Sequence, residues 1–208
     1  TPVVSIGGDH SITGGILQGL AANNLCLTKG KKISLLHIDA HTDTFSQLDH
    51  FLGAKKSAAH WGAYLVEEGI VDPNKSMQIG MRGNPRTLDW LQPSYDLGYN
   101  VVTMQEFKKK GIQEVISETL DKLGDNPIYI TFDLDSLDAS IAPAVSNIEP
   151  SFTGFSMEEA KALIQSVKNK NVIGGDVVCL MPTKDSSNNI TSMVAASIMF
   201  EIISVIAY

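Results

Sequence analysis

Three stretches of this chain end an apolar run with side chains able to bind divalent cations. Ile33-Ser34-Leu35-Leu36-His37-Ile38 leads into Asp39-Ala40-His41-Thr42-Asp43. Ile128-Tyr129-Ile130-Thr131-Phe132 leads into Asp133-Leu134-Asp135, and Val3-Val4-Ser5-Ile6 leads through two glycines to Asp9-His10. Side chains at i, i+2 and i+4 of an extended segment share a face, so Asp39, His41 and Asp43 converge, as do Asp133 and Asp135. Carboxylates and imidazoles crowded in this way repel unless cations neutralise them. Together with His10 they form a ligand set for two divalent metals. A lone Asp-x-Asp pair would say little, but three separate runs ending in ligand types carry specificity.

The elements that must position these residues alternate in type. Strands are expected at 3–6, 33–38, 76–81, 100–104, 128–132 and 172–180. Helices are expected at 11–22, from about 57 to 68, in a short stretch through Trp90, at 111–123, from 157 to about 168, and from 190 onward. Gly14, Gly15 and Gly19 weaken the first helix and point to close packing. Ser156-Met157-Glu158-Glu159 reads as a capping box. Such alternation implies a three-layer α/β/α fold with a mostly parallel sheet, in which ligands bind beyond the carboxyl ends of the strands. Each acidic cluster lies there. No internal repeat or linker interrupts the pattern, so residues 1–208 are expected to form a single domain.

The 208 residues, 43% hydrophobic, suffice for one substantial core. A net charge of −7 argues against nucleic acid as a partner. No apolar stretch reaches the roughly 20 residues of a membrane span; the segment from Met193 to Tyr208 has helical spacing and reads as a buried terminal helix. Cys26 and Cys179 stand in no paired or metal-type spacing, which points to a reducing, cytoplasmic compartment. The chain enters a strand almost at once and has no signal peptide, so missing N-terminal sequence is expected.

The motifs Gly7-Gly8-Asp9-His10-Ser11, Asp39-Ala40-His41-Thr42-Asp43 and Phe132-Asp133-Leu134-Asp135-Ser136-Leu137-Asp138 closely resemble the three signatures of the ureohydrolase family. The resemblance extends through Gly174-Gly175-Asp176-Val177-Val178 and the final helix. Agmatinase-type members look most similar, notably at His37-Ile38-Asp39-Ala40-His41-Thr42-Asp43-Thr44 and Ile70-Val71-Asp72-Pro73. The resemblance implies an arginase-like fold with a binuclear manganese centre (two Mn2+ per subunit), a chain longer at the N-terminus, and a homo-oligomer, trimer or hexamer. By motif position His10 and Asp43 would serve one metal, His41 and Asp135 the other, and Asp39 and Asp133 would bridge. An oxygen-rich set without thiolate favours manganese over zinc. In such a centre a bridging hydroxide would attack a guanidinium carbon, and the tetrahedral intermediate would collapse to an amine and urea. Asp135 would carry the proton to the leaving nitrogen, and His60 matches the position of a proton-shuttling histidine.

Three departures surround the substrate rather than the metals. Most members read Asp-Val-x-Glu-x-x-Pro where this chain has Asp176-Val177-Val178-Cys179-Leu180-Met181-Pro182. The missing glutamate normally pairs with the guanidinium, and a thiol cannot make that bidentate contact, a loss of roughly 2–5 kcal/mol. The usual Ala-Pro-Gly-x-Gly-Thr-Pro loop is here Ala142-Pro143-Ala144-Val145-Ser146-Asn147-Ile148-Glu149-Pro150, and His60 is followed by Trp61. Cys179 and Glu149 are therefore the candidate substrate-binding positions, Glu149 as a replacement carboxylate or as a solvated rim residue. Trp61, Trp90 and His37 are expected to pack the core or loops, and His50 matches no motif. The leading expectation is a hydrolase of linear C–N bonds in a guanidino or amidine substrate. The alternative is a metal-binding but catalytically silent paralogue, or a partner subunit of an active enzyme.

Overall fold

The computed structural model describes residues 1–22, 25–46, 56–83, 87–149 and 153–208, the side chains at 25 and 26 excepted. His50 and Pro150 lie outside these residues, as does the side chain of Cys26.

Six strands form one sheet: β1 Val3–Ile6, β2 Ser34–Ile38, β3 Met77–Met81, β4 Asn100–Thr103, β5 Ile128–Asp133 and β6 Val172–Val178. Their order is β1-β6-β5-β2-β3-β4, with parallel pairing throughout. β2, β3, β5 and β6 are buried along their whole length, as a sheet covered on both faces requires. The period-two alternation divides the core. Leu36, Ile38, Ile128, Ile130 and Phe132 face one layer of helices, namely α5 Met104–Lys110, α6 Ile112–Leu123, α7 Met157–Ser166 and α8 Ile190–Ile206. Leu35, Tyr129 and Ile173 face the other layer, where Leu17 of α1 (Ser11–Ala22) meets Trp61 and Leu65 of α3 (Trp61–Glu67). This is the expected three-layer fold. It brings the ends of β2 and β5 side by side, with Ile38 opposite Phe132.

Local chemistry sets most element boundaries. Ser156 and Glu159 form the expected capping box at α7. Thr103 and Glu106 form a second box, which ends β4 and opens α5, a helix that the sequence reading had left out. The short helix expected through Trp90 begins later, at Gln92–Leu97 (α4), with a proline in its first turn and Gly98 closing it in the left-handed region. A Cβ on Gly14 would collide with the Tyr64 ring, so the α1–α3 crossing depends on it, whereas Gly15 and Gly19 have open space around them. α8 departs from expectation in a second way. Its inner face is buried, but Met193 and Phe200 are more than half exposed, so the helix is two-faced rather than buried all round. Among the described residues, no helix is long and apolar enough to cross a membrane.

Candidate metal centre

All six expected ligands meet at the carboxyl ends of β1, β2 and β5. The buried His10 Nδ1 stands 3.1 Å from Asp39 Oδ2, 2.9 Å from Asp43 Oδ2 and 3.2 Å from Asp133 Oδ2. His41 Nδ1 stands 3.2 Å from Asp135 Oδ2 and 3.5 Å from Asp39 Oδ1. Donor atoms of His10, Asp39 and Asp43 form one group that could hold an ion, and those of Asp39, His41 and Asp135 a second. Asp39 belongs to both groups, and Asp133 lies beside both His10 and Asp135, hydrogen-bonded to the latter's amide at 2.8 Å. These are the positions that bridging carboxylates would occupy.

The hydrogen bonds behind the ligands fix which atom each presents. Thr131 Oγ1 donates to Asp176 Oδ1 at 2.7 Å, so it accepts from His10 Nε2 at 2.9 Å and leaves Nδ1 facing the carboxylates. His41 Nε2 donates to Glu149 Oε1 at 2.9 Å, which aims its Nδ1 inward in the same way. Gln78 Nε2 donates to His37 Nδ1 at 3.1 Å, so His37 Nε2 donates in turn to Asp39 Oδ2 at 2.8 Å. Trp61 Nε1 donates to Asp43 Oδ2 at 2.8 Å, and its ring packs at 4.9 Å against both His10 and His37. Asp43 takes a left-handed φ of 51°, unusual outside glycine and held here by this network. A Cβ on Gly83 would strike the His41 ring, so that position must stay bare.

Burial alone would lower the His10 and His41 pKa values, but the facing carboxylates outweigh it and raise both well above the ordinary histidine range. Asp135 is pushed well above the carboxylate range by burial and by the charges of Asp133 and Asp39. Asp39 is buried too, yet His10, His37 and His41 hold its pKa well below that range. In the absence of cations, protons do the neutralising. Two buried atoms face several ligand-type atoms at once without a well-formed hydrogen bond to any: His10 Nδ1, between three carboxylates, and Asp135 Oδ2, beside His41 Nδ1. The donor set therefore fits divalent cations, which would take the place of those protons.

The substrate-side residues are arranged differently. Cys179 is buried at the end of β6 with φ 66°; its thiol donates to Asp133 Oδ2 at 2.7 Å and accepts from Ser146 Oγ at 3.3 Å. Burial and the neighbouring Asp133 and Asp135 push that thiol's pKa up. Glu149 does reach inward, but its carboxylate meets His41. Arg82, to which sequence gave no role, spans the loop by donating to the carbonyls of Glu149, Asp135 and Leu137 at 2.8–3.0 Å. His60 is buried at the N-cap of α3, with Nδ1 3.2 Å from Ser57 Oγ; Ala58 and Ala59 line the cleft over the cluster, and His60 does not. Trp90 lines that cleft beside Phe45, Ile148 and Met181, so it is a wall residue rather than a core one. Sequence reasoning missed the positioning roles of His37, Trp61, Thr131 and Asp176. Only His37 left a signal, since it shares the β2 face of Asp39 two residues on.

The fold and the clustered donors agree with the family match: the chain belongs to the arginase family, whose profile matches residues 1–204. It is 36% identical to the human mitochondrial guanidino acid hydrolase over 96% of this chain and 53% of that protein. It is 34% identical to the mitochondrial agmatinase of Gallus gallus over 98% of this chain and 56% of that one. Among solved structures, the proclavaminate amidino hydrolase from Streptomyces clavuligerus superposes with a TM-score of 0.85 at 29% identity, covering 99% of this chain and 64% of its own. The chain thus spans about half the length of the curated relatives it matches.

Proposed function

We propose that this chain carries the catalytic centre of a manganese hydrolase that cleaves a linear guanidino compound to an amine and urea, as an agmatinase or guanidinobutyrase would. One observation carries the proposal. His10 Nδ1, aimed by the Thr131 contact at Nε2, faces oxygens of Asp39, Asp43 and Asp133 at 2.9–3.2 Å. The names of the relatives supply the substrate class.

His10, Asp39 and Asp43 would hold one ion, His41, Asp39 and Asp135 the other, with Asp133 shared. When bound, the metal pair supplies the acidity that makes water a nucleophile near neutral pH. Asp135 accepts the nucleophile's proton and delivers it to the leaving nitrogen, which places proton and product on one side of the cleft. Glu149 orients the His41 ring, and the cleft walls at Phe45, Trp90 and Met181 exclude water from the reacting carbon. A shuttle role for His60 would require the turn at 56–60 to swing its ring toward the cleft; His60→Ala is the check on that role.

The second reading, a catalytically silent metal-binding paralogue or partner subunit, rests on Cys179, which stands where the resemblance expects a guanidinium-binding glutamate. The two are separated by loading the protein with manganese and following urea and ammonia release from a panel of guanidines, amidines and amides. Turnover of any guanidine supports the hydrolase. No release across the panel, with both metals bound, supports the silent reading. We also propose a trimer or hexamer and a cytosolic location. Sedimentation as a monomer at micromolar concentration, or recovery in an organelle fraction, would count against each in turn.

A further inference from the structure

We propose that Cys179 is itself a metal donor, so that the ion beside Asp133 and Asp135 has a sulfur in its coordination shell and this centre favours zinc or cobalt over manganese. The inference rests on the metal-centre reading above and changes its chemistry.

Cys179 Sγ and carboxylate oxygens of Asp133 and Asp135 lie within 4.8 Å of one another, a spread that one ion can span. Asp135 also belongs to the group formed with Asp39 and His41, so the thiol would join an ion that already has oxygen and nitrogen donors. A second observation points the same way. Asp135 Oδ2 is buried with no well-formed hydrogen bond, His41 Nδ1 standing 3.2 Å away, as expected of two donors that share a cation.

The backbone holds the sulfur in place. Cys179 adopts its left-handed φ while its amide donates to the Gly8 carbonyl at 2.7 Å. Next to it, Val145 and Leu180 form an antiparallel bridge, and the Met181 amide donates to the Ala144 carbonyl at 2.9 Å. A strained cysteine pinned from both sides keeps its position when a ligand arrives.

On coordination the thiol proton leaves to solvent and a sulfur–metal bond forms, with no change of oxidation state. Thiolate is a soft donor and shifts selectivity toward zinc, cobalt and iron, away from the all-oxygen and imidazole sets that suit manganese. The same thiolate would occupy the place of the guanidinium-binding glutamate. One substitution would then alter both metal preference and substrate contact.

The test is cobalt(II) loading of the intact protein, with bound metal counted by elemental analysis and the near-ultraviolet absorption recorded. The expected result is a thiolate-to-cobalt charge-transfer band in wild type and in Cys26→Ser, absent in Cys179→Ser at equal cobalt content. In zinc–manganese competition, Cys179→Ser should move the preference toward manganese by on the order of tenfold or more. Cobalt bound without the band, or a band that survives Cys179→Ser, overturns the thiolate assignment and leaves the metal centre standing. Failure of wild type to bind cobalt, zinc or manganese overturns both.

Discussion

The two walls of the cleft are held in different ways. On the wall made by the ends of β1, β2 and β5, nearly every ligand is fixed from behind by a second residue. His10 is held by Thr131, His41 by Glu149, Asp39 by His37, Asp43 by Trp61 and Asp133 by the Asp135 amide. On the wall made by the end of β6 and the loop at 142–149, the Cys179 thiol meets Asp133 at 2.7 Å and Ser146 at 3.3 Å, its amide meets the Gly8 carbonyl, and Ile148 at the rim is 54% exposed. Groups that would share two cations tolerate little displacement, because a misplaced carboxylate is left as an uncompensated buried charge. A recognition loop needs only to fit one substrate. The first wall can then stay fixed while the other is rebuilt around a different ligand; the Cys179 replacement and the altered loop fall on that second wall, whereas Trp61, the third departure, supports Asp43 on the first.

The largest effect that would break this contrast is expected from Asp133→Ala. It should remove bound metal from both sites and reduce any hydrolysis to background, whereas Asp43→Ala should chiefly empty one site. Metal content after gel filtration distinguishes the two. The supporting layer should follow at smaller scale, with Thr131→Val and Glu149→Gln each lowering metal affinity roughly 10–100-fold. Competition with a fluorescent chelator reads this directly, and an effect below twofold would mean that the rings are held by packing alone.

On the other wall, Cys179→Glu should improve agmatine binding by on the order of tenfold or more, because a carboxylate accepts two parallel hydrogen bonds from a planar cation. A lowered KM with metal content preserved would sharpen the division between the walls. Brisk wild-type agmatine turnover, unchanged by Cys179→Ala, would show that another group holds the guanidinium.

Protons and metals compete for the two histidines of the first wall, which sets a pH dependence. The pKa values of His10 and His41 are raised in the folded, metal-free chain above their ordinary 6.5. Their protonation thus contributes stability that is complete below that pH and is lost as pH rises through the folded values. The melting temperature of metal-free protein should fall as pH rises above about 6.5, and manganese should flatten the slope. Thermal scans across pH with and without metal give the answer. The smallest effect is expected from Ser146→Ala, which removes one hydrogen bond worth roughly 0.5–1.5 kcal/mol from the recognition loop.

The candidate ligands were legible in sequence because most sit two residues apart at or just past the ends of strands whose apolar runs announce the sheet. Their supports were not. His10 and Thr131 are separated by 121 residues, and Thr13 and Asp176 by 163, so only the parallel pairing of β5 with β6 and the packing of α1 bring them together. Arg82 reads as an ordinary loop arginine until the fold supplies three carbonyls for it to span. The missed helix α5 is a different kind of error, since Thr103-Met104-Gln105-Glu106 has capping-box spacing that a strand assignment through Met104 overlooked. The outer face of α8 was misjudged because apolar content does not tell a buried helix from one with an exposed apolar stripe.

The central claim is that six side chains hold a pair of cations, and the direct measurement is the metal stoichiometry of manganese-loaded protein by native mass spectrometry at near-neutral pH, for wild type and Asp133→Ala side by side. The expected result is two metals per wild-type chain and a loss from both sites in the variant. A wild-type chain that binds none, or a variant that binds as many as wild type, would contradict it.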